Sequence, residues 1–218
     1  MKKILIALIV SMLMSVTANA GIVEVKAAYK ARDYTLCSSE AAKVIADSEA
    51  VDYDKAQAQC YIGRCYYIQK DYAKALPEFQ KVISDYPTMT NQCASAQRYI
   101  GHCYEELKDY AKALTEYQKV ISDYPTDSAN CAYAQRYIGY CYERLGKVVE
   151  IQASYIQLCK IQGAPLILVT SVFSKIDKVA LGKVEYLKLI DTMLLVIPAT
   201  AANAEFLGVL KSEQEKLK

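Results

Sequence analysis

Residues 56–93 read AQAQCYIGRCYYIQKDYAKALPEFQKVISDYPTMTNQC, and residues 94–131 repeat the phrase as ASAQRYIGHCYEELKDYAKALTEYQKVISDYPTDSANC. The two agree at 26 of 38 positions, and a third copy opens at Ala132 with AYAQRYIGYCYERLG before drifting. Gly63, Gly101 and Gly139 are spaced by 38 residues, as are Cys65, Cys103 and Cys141. A fixed period of this length marks stacked supersecondary units, none of which buries its apolar face alone. The period predicts a repeat scaffold, with little room for a conventional enzyme.

Each copy carries two helical periodicities. Ala58, Ile62, Cys65 and Tyr66 share one face at i, i+4, i+7, i+8 spacing, and Ala75, Phe79, Val82 and Ile83 repeat the pattern. Asp71 and Asp109 precede the second run and suit an N-cap; Pro87 and Pro125 end it. One unit is therefore helix, short turn, helix, turn. Glycine inside a helix costs about 1 kcal/mol relative to alanine. Its recurrence at Gly63 and Gly101 predicts a close crossing of the second helix, with Ala75 and Ala113 as the matching small surface. Pro77 is expected to bend its helix locally.

Gly63, Tyr66, Ala75, Phe79 and Pro87 resemble the signature of the tetratricopeptide repeat, and so do Gly101, Tyr104, Ala113, Tyr117 and Pro125. The signature's aromatic near the start of the first helix is replaced by Gln59 and Gln97. Four extra residues fall between Pro87 and Gly101, in a longer entry to the first helix. This variant resembles repeats of bacterial envelope proteins of the Tol-Pal coordinator and outer-membrane assembly lipoprotein type. The resemblance implies an all-α, right-handed α-solenoid of stacked helix–turn–helix units. Weaker echoes extend the array. Asp33-Tyr34 sits 38 residues before Asp71-Tyr72, and Leu145-Gly146-Lys147-Val148 recurs as Leu181-Gly182-Lys183-Val184. The expected units are 21–55, 56–93, 94–131, 132–164 and 165–199. A polar capping helix at 200–218 points Phe206, Leu207 and Leu210 inward.

Residues 1–20, MKKILIALIVSMLMSVTANA, have a basic start, an apolar run and an Ala18-Asn19-Ala20 end, the pattern of a cleaved secretory signal. The expected mature chain begins at Gly21, in the bacterial periplasm or outside the cell. Its loss of Lys2 and Lys3 leaves 24 basic against 24 acidic residues. A nucleic-acid binder needs a basic surplus, so nucleic acid is not an expected partner. Nor is stable membrane insertion of the mature chain: its most apolar stretch, 164–173, runs straight into Lys175, Asp177 and Lys178.

Eight cysteines invite a disulfide reading in an exported chain. Cys65, Cys103 and Cys141 read as small buried residues, whereas Cys37, Cys60 and Cys159 are the better bridge candidates, without assigned partners. No cofactor or metal is expected. The closest cysteines are Cys60 and Cys65, His102 is the sole histidine, and there is no C-x-x-C pair. Glycine-rich phosphate loops, G-x-S-x-G and paired histidines are absent too, so no catalytic residue is expected. The lone His102 reads as a surface residue.

The repeat resemblance implies that another protein or peptide binds along the concave face, lined by the first helix of each unit. Carried onto this sequence, that face gives Arg64 and Tyr67, then Arg98, His102 and Glu105, then Tyr133, Arg136, Tyr140 and Arg144. Cys60/Arg98, Arg64/His102 and Tyr67/Glu105 differ between otherwise near-identical copies. Such variation suits a binding stripe, and equally any solvent-exposed stripe. Arg98 and Arg136 offer bidentate forks for carboxylates. A thiol-based redox or metal-handling role is the alternative function.

Overall fold

The computed structural model describes residues 21–177 and 181–217. The expected signal segment, 1–20, lies outside the described residues. Residues 21–30 (α1) and Tyr34–Ala46 (α2) form the first helix pair. Next come α3 (Asp52–Ile68) with α4 (Tyr72–Asp85), α5 (Thr90–Glu106) with α6 (Tyr110–Asp123), and α7 (Ser128–Arg144) with α8 (Val148–Lys160). Then follow α9 (Leu166–Phe173), α10 (Lys183–Val196), a 3-10 turn at Ala201–Asn203 and α11 (Ala204–Leu217). The fold is all-helical, with no strand among the described residues.

The four extra residues of the 38-residue period extend the first helices. α3, α5 and α7 each run to 17 residues and start four residues before Ala56, Ala94 and Ala132. The turn inside each pair is equally periodic. Arg32, Lys70, Lys108 and Gly146 all take positive φ, between 61° and 70°. The amide after each donates back to the first helix: Asp33 to Ala28, Asp71 to Tyr66, Asp109 to Tyr104 and Lys147 to Tyr142. This Schellman closure satisfies carbonyls that a helix end leaves open. Asp33, Asp71 and Asp109 then cap the second helices, accepting from the amides of Leu36, Lys74 and Lys112. The faint first copy is thus built with the same turn and cap as the clear ones.

Gly63 does face a close crossing, and the nearest atoms across it belong to the Phe79 ring. A Cβ there would lie 2.7 Å from the Phe79 ring, and one at Gly139 would lie 2.6 Å from the Tyr155 ring. At both crossings the glycine makes room for an aromatic ring of the second helix. α4 continues through the exposed Pro77 to Asp85, and Tyr86 and Pro87 follow it.

The chain divides into two compact units, one ending at Cys103 and one beginning at Tyr104. In the first, Ile22, Val25, Cys37, Ala41, Val44, Ala58 and Cys65 form a core between α1, α2 and α3. In the second, α8 to α11 enclose Tyr155, Leu158, Leu168, Val172, Ile190, Met193 and Leu210. The apolar stretch 164–173 is therefore core on one face (Leu168, Val169, Val172, Phe173), with Ile167 exposed on the other. Phe206 is half-buried and meets Phe173 edge-on, while Leu207 and Leu210 are buried.

Candidate functional site

In the first unit, the residues expected on the stripe pack on one another. The Arg64 guanidinium lies 4.4 Å from the Tyr29 ring centre, 4.9 Å from Tyr61 and 5.6 Å from Tyr99. Tyr67 is half-buried among Tyr72, Tyr99 and His102. Arg98 Nη1 sits 3.1 Å from His102 Nε2. His102 is itself buried, which corrects its reading as a surface residue. An imidazole packed among aromatic rings leaves water at little cost where its ring nitrogens stay hydrogen-bonded.

The second unit holds an open cleft of about 310 Å³. α7 supplies Arg136, Tyr137, Tyr140 and Glu143, α8 supplies Tyr155, and Ser171, Val172 and Lys175 close the side at α9; Glu105 lies at the other edge. Three expected stripe residues thus converge here: Glu105, Arg136 and Tyr140. Two others do not. Tyr133 packs against the core of the second unit, and Arg144 turns away to donate from Nε to the Tyr110 hydroxyl at 3.2 Å. Tyr137, Tyr155, Ser171, Val172 and Lys175 were not anticipated. Tyr155 was findable, since it stands 38 residues after Tyr117; Ser171 and Lys175 lie where the repeat has drifted and carry no such signal.

The cleft's charges are unequally engaged. The buried Tyr155 hydroxyl donates to Glu143 Oε1, and Lys175 Nζ stands 3.7 Å from the same oxygen. Burial, then the bond to Glu143, pushes the Tyr155 phenol above its ordinary range. Tyr117, buried completely, donates to Glu105 Oε2 at 2.6 Å, and its phenol is raised by burial and by the Glu105 charge. Arg136 is exposed, rests 5.4 Å from the Tyr137 ring centre, and has no carboxylate partner among the described residues. The acids are occupied by phenols, and the cation that remains available is Arg136.

Residues 56–89 and 94–127 match the tetratricopeptide repeat family model. Those two segments are tetratricopeptide repeats. No curated protein sequence matches the chain. Among solved structures, BtubC from P. vanneervenii is similar with a TM-score of 0.54 at 10% identity, over 88% of this chain and 76% of its own. The apo form of RapI gives 0.56 at 13% identity, over 92% and 69%. A Podospora anserina kinesin light chain protein with nearly identical TPR-like repeats gives 0.51 at 11% identity, over 91% and 92%. At these identities the likeness establishes the fold, an α-solenoid of stacked repeats. Within the tetratricopeptide repeats, Gln59 stands in for the signature aromatic. It is buried, and its amide donates to Glu78 of the second helix. Gln135 holds the same register in the third copy and donates to Ser154 Oγ at 2.8 Å. A hydrogen bond replaces ring packing as the link between the paired helices.

The thiols are structural in placement. All eight are buried, and none is in a disulfide. Cys93 Sγ lies 3.2 Å from the Tyr86 carbonyl, and Cys131 Sγ lies 3.3 Å from that of Tyr124, the C-cap residues of α4 and α6. Burial pushes Cys60, Cys141 and Cys159 up to about 12. A thiol held protonated is a poor nucleophile and metal ligand. No cluster of three or more metal-ligating side chains occurs among the described residues.

Proposed function

We propose that the protein is an exported, non-catalytic scaffold of the bacterial cell envelope that holds a partner protein in the cleft between α7 and α9. Repeats of this type generally bind proteins, and no described helix is long and apolar enough to cross a membrane. Export rests on the signal-like residues 1–20.

One observation carries the choice of cleft and ligand. Both glutamates are engaged by buried phenols, while the exposed Arg136 lies over Tyr137 with no carboxylate partner among the described residues. An arginine fork beside tyrosine faces suits a carboxylate on an extended segment, with an apolar side chain set against Tyr140. A ligand carboxylate meets Arg136, while each acid lining the cleft already accepts a hydrogen bond from a phenol and Glu143 also faces Lys175. The raised thiols favour this reading over the redox alternative.

The test is peptide display on the immobilised protein, followed by titration of the selected peptides. Acidic sequences are expected, binding at least tenfold more weakly to Arg136→Ala/Tyr140→Ala at unchanged helicity. Selection of basic peptides, or equal affinity for the variant, overturns the proposal.

A further inference from the structure

The first helix pair departs from its copies at one buried position. α2 carries Cys37 where α4 and α6, by the 38-residue register, carry Ala75 and Ala113; all three side chains are fully buried. α2 packs on α3, and Cys65 of α3 lies in the same core cluster at 1% exposure. Across this crossing the two thiols are near enough to act on each other's ionisation, and Ser38 acts on Cys65 as well. At the later registers Cys103 and Cys141 correspond to Cys65, but alanine takes the place of Cys37. Only the first pair therefore brings two thiols to this crossing. A cysteine used as a small apolar residue would serve there no better than the alanine of the other copies.

We infer that Cys37 and Cys65 are a disulfide site, joined to staple α2 to α3 when the chain folds in contact with a small-molecule disulfide oxidant such as oxidised glutathione. The Cys37 or Cys65 thiolate attacks one sulfur of the oxidant, forming a mixed disulfide and expelling a glutathione thiolate. The second protein thiolate displaces the remaining glutathione. Two electrons pass to the oxidant, and the two protons lost by the protein end on two molecules of reduced glutathione. The folded pair is closed to this chemistry, because both sulfurs are out of solvent and burial holds both thiols protonated, Cys37 up to about 12. Joining therefore precedes the seating of α2 on α3. The bridge closes a loop from residue 37 to residue 65 and removes conformations from the unfolded chain.

The full chain, refolded from denaturant in mixed oxidised and reduced glutathione, supplies the test. Tryptic digestion separates the two cysteines cleanly: Cys37 falls in DYTLCSSEAAK (33–43) and Cys65 in CYYIQK (65–70), with Cys60 and Cys93 on other peptides. Expected are a 33–43/65–70 cross-linked peptide, a loss of two hydrogen atoms in mass and six remaining thiols. The thermal midpoint should also fall by about 10 °C on adding reductant. Cys37→Ala restores the residue of the sister repeats, so it folds; it should give no cross-link and no response to reductant. Eight free thiols in refolded, helical wild type overturn the inference. So does a bridge between any other pair.

Discussion

In the repeat at 56–93, the second helix presents Phe79 to the first, and the first helix carries Tyr67 at the end of the crossing. In the next two copies the same positions hold Tyr117 with Glu105, and Tyr155 with Glu143. The phenylalanine ring needs nothing beyond van der Waals neighbours, and it stacks on Tyr99 at 5.0 Å. The tyrosine rings sit as deep, yet each brings a hydroxyl that must find an acceptor, and the glutamate supplies it. Two differences between near-identical repeats are thus one coupled exchange. Part of what varies along the first-helix stripe answers to the core, and only the remainder is available to a partner.

The largest effect should come from the glycine that both kinds of ring share. Gly63→Ala and Gly139→Ala each drive a methyl into a buried ring, and each should cost about 2–3 kcal/mol in thermal or urea unfolding. A clear cost at one site and none at the other would break the idea of a common frame. Next in size is the acceptor. Glu143→Ala strips the buried Tyr155 hydroxyl of its bond and should cost about 2 kcal/mol. Adding Tyr155→Phe, which recreates the Phe79 arrangement, should recover most of it; additive losses in that double-mutant cycle would end the coupling argument.

A pH series sharpens the same contrast. Tyr117 and Tyr155 are raised in the folded chain, so the unfolded chain gives up its phenolic protons first. Their stabilisation is complete below pH about 10 and declines as pH rises toward the folded values. Thermal midpoints should fall above that pH, and less steeply in Tyr117→Phe/Tyr155→Phe; parallel curves would contradict the burial of the hydroxyls. The smallest effect belongs to the turns. Lys70 and Lys108 hold the positive φ that Gly146 holds in the fourth pair. Lys70→Gly should therefore stabilise by roughly 0.5–1 kcal/mol in chemical denaturation, where glycine in a helix interior would destabilise.

Much of this frame was legible in the residues, because its causes are local. The 38-residue period, the capping Asp71 and Asp109, and the prolines after the second helices all act within a few residues of themselves. The site was legible only where its side chains obey the stripe. Arg136 and Tyr140 do. Tyr133 shares their helix, yet its ring joins the core gathered from α8 to α11, a neighbour that a repeat register cannot show. Arg144 sits in the last turn of α7 within reach of Tyr110, thirty-four residues earlier. His102 looked exposed because its copies are Arg64 and Tyr140, and only the packing of Tyr67 and Tyr99 around it reveals otherwise. Ser171 and Lys175 enter the cleft from a segment whose sequence has lost the period, so nothing local marks them.

The account stands on Arg136 being the stripe's available cation while Arg144 is engaged elsewhere. Calorimetric titration of one selected acidic peptide against wild type, Arg136→Ala and Arg144→Ala tests this most directly. The account predicts at least a tenfold loss for Arg136→Ala and wild-type affinity for Arg144→Ala, both variants melting with the parent. Equal affinity for all three proteins, or a loss confined to Arg144→Ala, would contradict it.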